Sequence, residues 1–314
     1  TEDTAPLGYI KSSQVEFTVT DNGIDQKITM VDEITRVAKT DENGNYVLVT
    51  GNQMGALLCD YILLSRTEKN KMPENPACIR SIVTSPFVDA ICKKYKVKLI
   101  EVLTGFKWIA AAEAEFEKNK TNNYVFGLEE SYGYKIEKSV MDKDGVSAAA
   151  LCAEMTLYWR SQGVSLLQRL DEMYKKYGYF EDRSISKYFP GVKGPAIMGG
   201  IMTKLRTEGL KTLGGKKVLK IRDIGEQVEF DPAKKDKKKK LKFPKSNVLQ
   251  FFLEGGTIVS ARPSGTEPKI KFYINSCTPV KGGKDAELAK SKAEAAKLCD
   301  AISKEINKIL DSAK

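Results

Sequence analysis

From Thr50 onward, short apolar strands alternate with helices at a spacing that few folds accommodate. An apolar helix from Gly55 to Leu64 carries Leu57, Leu58, Tyr61 and Ile62. A Pro-bearing loop, Lys71 to Pro76, leads into the strand Ile79-Arg80-Ser81-Ile82-Val83. The helix Pro86 to Tyr95, the strand Val97 to Val102, the helix Trp108 to Lys118 and the strand Tyr124-Val125-Phe126 follow, and a long helix spans roughly Ser147 to Gln162. Strand–helix–strand alternation of this period predicts an α/β unit with a mixed, mainly parallel sheet.

The texture differs on either side. Before it, Val15-Glu16-Phe17-Thr18-Val19 alternates apolar and polar residues, and Asn43-Gly44 signals a turn ahead of Tyr46-Val47-Leu48-Val49. This opening is short for a domain and reads as the tail end of one. After it, the Pro/Gly break at Tyr188-Phe189-Pro190-Gly191 marks a boundary. Beyond lie a helix near Ile197 to Thr207, the strands Lys217 to Ile221, Val248 to Leu253, Thr257 to Ser260 and Lys269 to Ile274, and an amphipathic helix from Lys284 to Leu310. That is a small α+β domain. The expected division is a strand segment over 1–48, an α/β domain over 49–189 and an α+β domain over 190–314. It agrees with a length of 314 residues, which suggests two domains, and with a 41% hydrophobic share that can fill their cores.

Histidine is absent from the whole chain. That excludes Ser-His-Asp and Cys-His catalysis, histidine zinc ligands and histidine proton shuttles. Acid–base chemistry is left to Lys, Asp, Glu, Tyr and Cys. The six cysteines (Cys59, Cys78, Cys92, Cys152, Cys277 and Cys299) form no C-x-x-C pair and read as free, buried, inert thiols of a reducing compartment. The net charge of +10 is concentrated rather than spread: between Lys234 and Lys245 eight lysines face one aspartate, an excess of seven. With Phe243 as its single aromatic and no base-reading motif, this run reads as a solvated loop in preference to a nucleic-acid site. No apolar stretch approaches the ~18 residues of a membrane-spanning helix, and Thr1-Glu2-Asp3-Thr4 lacks the basic start and apolar run of a secretory signal. The expectation is a cytoplasmic chain with no membrane partner, a processed or partial product.

The segment richest in chemistry is Arg262-Pro263-Ser264-Gly265-Thr266-Glu267-Pro268-Lys269-Ile270-Lys271, between two strands. Arg262 offers a planar fork for phosphate oxygens, Ser264 and Thr266 add hydroxyls, and Gly265 lets backbone N–H groups approach an anion. An S-G-T turn alone would be an ordinary hairpin; Arg262 before it and the flanking prolines favour a phosphate loop. The segment resembles the phosphate-binding loop of the α-D-phosphohexomutases, the phosphoglucomutase and phosphomannomutase family. Three further blocks match in order: Thr50-Gly51-Asn52-Gln53 resembles the start of the family's third domain, Thr104-Gly105-Phe106-Lys107-Trp108 its G-F-K loop, and Gly127 to Tyr134 its sugar-binding E-E-S loop, in the form typical of the longer bacterial phosphoglucomutases.

The resemblance implies phosphohexomutase domains three and four after a remnant of domain two. It also implies substrate contacts at Gly105, Phe106, Glu129, Glu130 and Ser131, and phosphate contacts at Arg262, Ser264, Gly265, Thr266 and Lys271. The physical reading of the E-E-S loop agrees: carboxylates and a hydroxyl suit neighbouring sugar hydroxyls, and Glu129 and Ser131 on an extended loop would point to one side. Lys107, in an apolar neighbourhood, is a candidate for proton transfer or substrate contact; a fixed cation for phosphate and a snorkelling surface lysine are the other readings. Asp142-Lys143-Asp144-Gly145 has metal-like spacing but no third carboxylate at the right interval, and capping of the following helix is the better reading.

Two family elements are missing from the sequence: the T-A-S-H-N-P-like loop with the phosphoryl-carrying serine, and the D-x-D-x-D-R loop that holds Mg²⁺. Val31-Asp32-Glu33-Ile34-Thr35-Arg36 lies near where the latter would be but lacks the ligand pattern. The family reaction interconverts hexose 1-phosphate and 6-phosphate, with Mg²⁺ as cofactor and glucose 1,6-bisphosphate as activator. The chain therefore reads as a C-terminal portion of such an enzyme, inactive alone, with hexose phosphate as ligand and a missing N-terminal catalytic half as partner. A noncatalytic sugar-phosphate-binding paralogue is the alternative, with nucleic-acid binding through the lysine run a poor third.

Overall fold

The computed structural model describes residues 47–234, 237–265 and 267–313. The expected strand segment 1–48, apart from its last two residues, and the Val31–Arg36 stretch lie outside them, as does Thr266.

Helix α1 (Gly51–Glu68) begins four residues before the apolar run because Thr50 and Gln53 form a capping box: Thr50 Oγ1 accepts from the Gln53 N–H at 3.3 Å, and Gln53 Oε1 accepts from the Thr50 N–H at 2.9 Å. It is followed by β1 (Pro76–Ser81), α2 (Phe87–Lys94), β2 (Lys98–Val102), α3 (Phe106–Asn119), β3 (Asn123–Glu129), β4 (Gly133–Lys135), α4 (Gly145–Ser161) and α5 (Leu166–Tyr177). The sheet order is β2-β1-β3-β4; β1 runs parallel to β2 and β3, and β4 returns antiparallel to β3. Because side chains alternate along a strand, Ala77 and Ile79 pack with Phe106, Ile109 and Phe116 of α3, while Cys78 joins the core made with α1, α2, α4 and α5. The result is the α/β unit with a mixed, mainly parallel sheet that the alternation predicted, with helices on both faces. Helix α5 was not foreseen, although Ser165 and Gln168 form a second capping box at its start.

The second sheet is built from β5 (Tyr179–Tyr188), β6 (Thr212–Leu213), β7 (Lys216–Asp223), β8 (Val228–Phe230), β9 (Lys239–Lys240), β10 (Leu249–Leu253), β11 (Ile258–Pro263) and β12 (Lys269–Thr278), with helices α6 (Gly194–Thr207) and α7 (Asp285–Ser312). Its order is β5-β12-β11-β10-β7-β8-β9 with β6 on β7, and every pairing is antiparallel. One face, with Val259, Ala261, Ile270, Phe272 and Ile274, packs with Met198 and Met202 of α6 and Ile302 and Ile306 of α7. The strand β5 differs from the expectation that 49–189 forms one unit: from Tyr179 to Tyr188 it pairs with β12, Thr278 back to Lys269. The covalent join between the two sheets thus runs through Tyr177-Gly178. Its sequence, YFEDRSISKY, has the polar character of an edge strand and so carried little apolar signal.

A fourth cluster joins the two units, with Ile82, Val83 and Leu103 from one side and Ile224, Val248 and Tyr273 from the other. Polar contacts cross the same seam. Gln250 Nε2 donates to the Ile82 carbonyl at 2.9 Å, and Arg222 Nη1 lies 3.1 Å from Glu101. None of the six cysteines forms a disulfide; Cys152 and Cys277 are half-buried and the other four buried. No helix among the described residues is long and apolar enough to cross a membrane.

Candidate functional site

The E-E-S segment is the turn of the β3–β4 hairpin. Glu129 closes β3 opposite Gly133, and Glu130, Ser131 and Tyr132 turn the chain, Tyr132 with φ 59°. The extended loop expected from the sequence is therefore replaced by a tight turn, because Gly133 and Tyr134 pair straight back onto β3. Three contacts seat this turn. Tyr134 Oη–H donates to the Gly51 carbonyl at 2.7 Å, and Tyr132 Oη–H to the Val49 carbonyl at 3.0 Å. A Cβ at Gly51 would come within 2.1 Å of the Glu130 carbonyl oxygen, so only glycine lets α1 approach the turn this closely.

Gly105 precedes α3 with φ 114°, a conformation that suits glycine, and its N–H donates to Glu129 Oε1 at 2.5 Å. The G-F-K and E-E-S segments are thus directly bonded. Burial pushes the Glu129 carboxyl above its ordinary range; the Gly105 N–H opposes this, Glu130 adds to it, and Arg262 and Lys143 oppose it. Ser131 Oγ donates to Glu130 Oε1 at 3.2 Å, and Ser81 Oγ to Glu130 Oε2 at 3.5 Å. Phe106 is buried, with its ring against Gly133, so its side chain supports the turn from below. Lys107 is exposed and its Nζ lies 5.3 Å from the Trp108 ring centroid. That is the surface-lysine geometry among the readings left open, not an enclosed apolar pocket.

Arg262 reaches the same place from the other sheet. It lies on the face of β11 opposite Ala261, which belongs to the apolar core, and pairs directly with Lys271 on β12. Two cations side by side repel unless an anion lies between or above them. Tyr273, the next residue on that face of β12, has its hydroxyl pushed up to about 12 by burial first, with Glu130 adding and Arg262 opposing. Arg262, Tyr273, Glu129 and Glu130 therefore lie within one electrostatic neighbourhood across the seam. Beyond β11, the Ser264 N–H donates to the Lys269 carbonyl at 2.8 Å and Ser264 Oγ accepts from the Glu267 N–H at 3.3 Å. Gly265 is exposed with open space around it.

Sequence reasoning missed Tyr273, Ser81 and Lys143. Tyr273 lies two residues past Lys271 on the same strand face, a signal that could have been read. Lys143, with Nζ 5.8 Å from the Phe106 ring centroid, lies in a segment whose sequence signal is its two carboxylates. Asp144 does cap α4, accepting from the Val146 N–H at 2.9 Å.

Mg²⁺ takes oxygen ligands, usually one or two carboxylates with water and phosphate. Among the described residues the one grouping of three or more candidate ligands is Cys59, Cys78 and Cys92, all sulfur. These residues do not fit Mg²⁺. What the seam offers is chemistry of two kinds: carboxylates and hydroxyls on the hairpin side, and paired cations on the β11–β12 side.

Comparison with known proteins bears on this arrangement. A family described as phosphoglucomutase/phosphomannomutase, alpha/beta/alpha domain III, matches residues 50–177. A phosphoglucomutase of Staphylococcus epidermidis is 34% identical over 242 residues, covering 77% of this chain and 43% of the relative. A phosphoglucomutase of Staphylococcus aureus is 34% identical over 245 residues, with the same coverage. The chain thus spans less than half the length of these curated relatives. The crystal structure of the open form of pp63/parafusin, a Paramecium phosphoglucomutase, superposes with a TM-score of 0.52 at 18% identity, over 85% of this chain and 41% of that one.

Proposed function

Since the chain belongs to the phosphoglucomutase/phosphomannomutase family, we propose that it holds a hexose phosphate at the seam between its two sheets. The sugar would lie on Gly105, Glu129, Glu130 and Ser131, and the phosphate on Arg262, Ser264, Gly265, Thr266 and Lys271, with Lys107 at the rim. The observation that supports this reading is the hydrogen bond from the Gly105 N–H to Glu129 Oε1, which joins the G-F-K and E-E-S segments, together with the pairing of the cations Arg262 and Lys271 on the second sheet. The division into an α/β sugar-binding unit and an α+β phosphate-binding unit is part of the same proposal, as is a cytoplasmic location.

Within this proposal the whole reaction is interconversion of hexose 1-phosphate and 6-phosphate, with Mg²⁺ and a hexose 1,6-bisphosphate, in a protein that supplies the serine and metal loops this sequence lacks. This chain supplies binding and orientation. Arg262 and Lys271 neutralise phosphate charge, and Glu129, already bonded to Gly105, presents its remaining oxygen to a sugar hydroxyl.

Calorimetry with glucose 6-phosphate and with inorganic phosphate tests the reading. Arg262→Ala should weaken both by about 1.5–3 kcal/mol, the range for hydrogen bonds to charged groups, and a coupled assay of the chain alone should show no mutase turnover. Unchanged phosphate affinity in the variant would refute the site.

A further inference from the structure

The α/β unit encloses a group of side chains that the hexose phosphate reading does not use. Cys59 of α1, Cys78 of β1 and Cys92 of α2 converge beneath the sheet, their sulfurs all within 4.8 Å of one another. Their exposures are 0%, 0% and 1%. The alternation of β1 that sends Ala77 and Ile79 toward α3 turns Cys78 into the layer of α1 and α2, so three separate elements each deliver one sulfur.

We propose that Cys59, Cys78 and Cys92 form a three-sulfur binding site for a soft, thiophilic monovalent cation of the copper(I) type. The donor set decides the class: thiolates select copper(I) and zinc over the hard cations, which want oxygen. The number of donors decides within it, because a structural zinc site closes with four ligands. Among the described residues no fourth donor joins these three. The chain has no histidine, Asp60 is bonded to Arg169, Tyr95 and Tyr177, and Asp89 is bonded to Arg80.

The size also agrees. Metal–sulfur bonds of about 2.3 Å put the corners of a trigonal site about 4.0 Å apart. The sulfurs therefore close by less than about 1 Å, within reach of small side-chain rotations. Copper(I) enters and remains as the +1 ion; copper–sulfur bonds form, and the thiol protons they displace pass to solvent. With two thiolates bound to the copper(I) ion the site carries a single negative charge.

The test uses the full chain, reduced and anaerobic, titrated with copper(I) against a chromogenic chelator. We expect one equivalent retained, with sulfur-only three-coordination by X-ray absorption and tighter binding as pH rises. A Cys152→Ala/Cys277→Ala/Cys299→Ala variant should retain that equivalent, and Cys59→Ala/Cys78→Ala/Cys92→Ala should lose it while keeping its circular dichroism. If the latter does not fold, Cys78→Ser alone should lower the affinity by about tenfold or more. Equal binding by both triple variants, failure of the unaltered chain to compete, or preference for zinc would overturn the proposal. None of these outcomes depends on hexose phosphate binding.

Discussion

Lys135 and Glu113 offer a perturbation whose size follows from the geometry. Lys135 ends β4, just past the E-E-S turn, and Glu113 lies midway along α3, whose first turn carries Phe106 and Lys107. Lys135 Nζ is 2.6 Å from Glu113 Oε2, with side-chain exposures of 0% and 2%. Lys135 Nζ also donates to the Glu137 carbonyl at 2.7 Å and lies 4.4 Å from the Tyr124 ring centroid. Neither Glu113 oxygen has a hydrogen-bond partner beyond this ion pair among the described residues. Lys135→Met therefore strands a buried carboxylate, and should destabilise the chain by about 3–5 kcal/mol. Glu113→Leu strands a buried ammonium that keeps one carbonyl, and should cost somewhat less. The double variant removes both charges together and should lose no more than about 1 kcal/mol, because apolar groups of similar volume replace a buried pair at little cost. The coupling energy between the two positions is then about 3 kcal/mol or more. Chemical denaturation followed by tryptophan fluorescence measures it, since Trp108 and Trp159 both pack in cores that contain residues of this unit. If the double variant loses the sum of the two single losses, the pair is not an isolated buried unit and the reasoning fails.

Other outcomes follow from single contacts. Gly51→Ala places a methyl 2.1 Å from the Glu130 carbonyl and 2.7 Å from the Tyr132 nitrogen; it should destabilise by about 1–3 kcal/mol and weaken hexose phosphate binding, read by denaturation and calorimetry. Asp182, which accepts from Asn275 Nδ2 at 2.8 Å, has its carboxyl pushed up to about 6, chiefly by burial. The folded chain then keeps this proton while the unfolded chain releases it, so stability should fall as pH rises from about 4 to about 6. The loss is at most about 3 kcal/mol, reduced by the water that still reaches this half-buried residue. Asp182→Asn should flatten that part of the stability–pH curve, and an unchanged slope would reject the assignment. Ser131→Ala should weaken hexose phosphate binding by about 0.5–1.5 kcal/mol and leave inorganic phosphate nearly unaffected; equal losses would mean that the turn acts through folding.

The local order of this protein is written in its sequence. Thr50 and Gln53 specify where α1 starts because both halves of a capping box are contained in four residues, and the strand–helix period specifies a parallel sheet because crossovers of that length allow little else. The four matched blocks likewise name the segments proposed to meet at the seam. What they do there is a tertiary matter. Gly105 meets Glu129, 24 residues on, only because β2 and β3 both run parallel to the β1 between them, so that their ends lie at one edge of the sheet. Tyr273 joins Arg262 only through the register that sets Arg262 opposite Lys271. Lys107, whose apolar sequence neighbours leave its role open, is exposed because the rotation of α3 buries Phe106 and Ile109 and faces Lys107 to solvent. The edge strand β5 belongs to the second sheet through ten backbone pairings that its polar side chains do not announce. The three cysteines, spread over 34 positions from Cys59 to Cys92, become neighbours only when β1 slides beneath α1 and α2. Short-range hydrogen bonds and periodicity are carried by a few consecutive residues and so can be read along the chain. Register, helix rotation and seam contacts are sums over many distant atoms, and they exist only once the two sheets have packed.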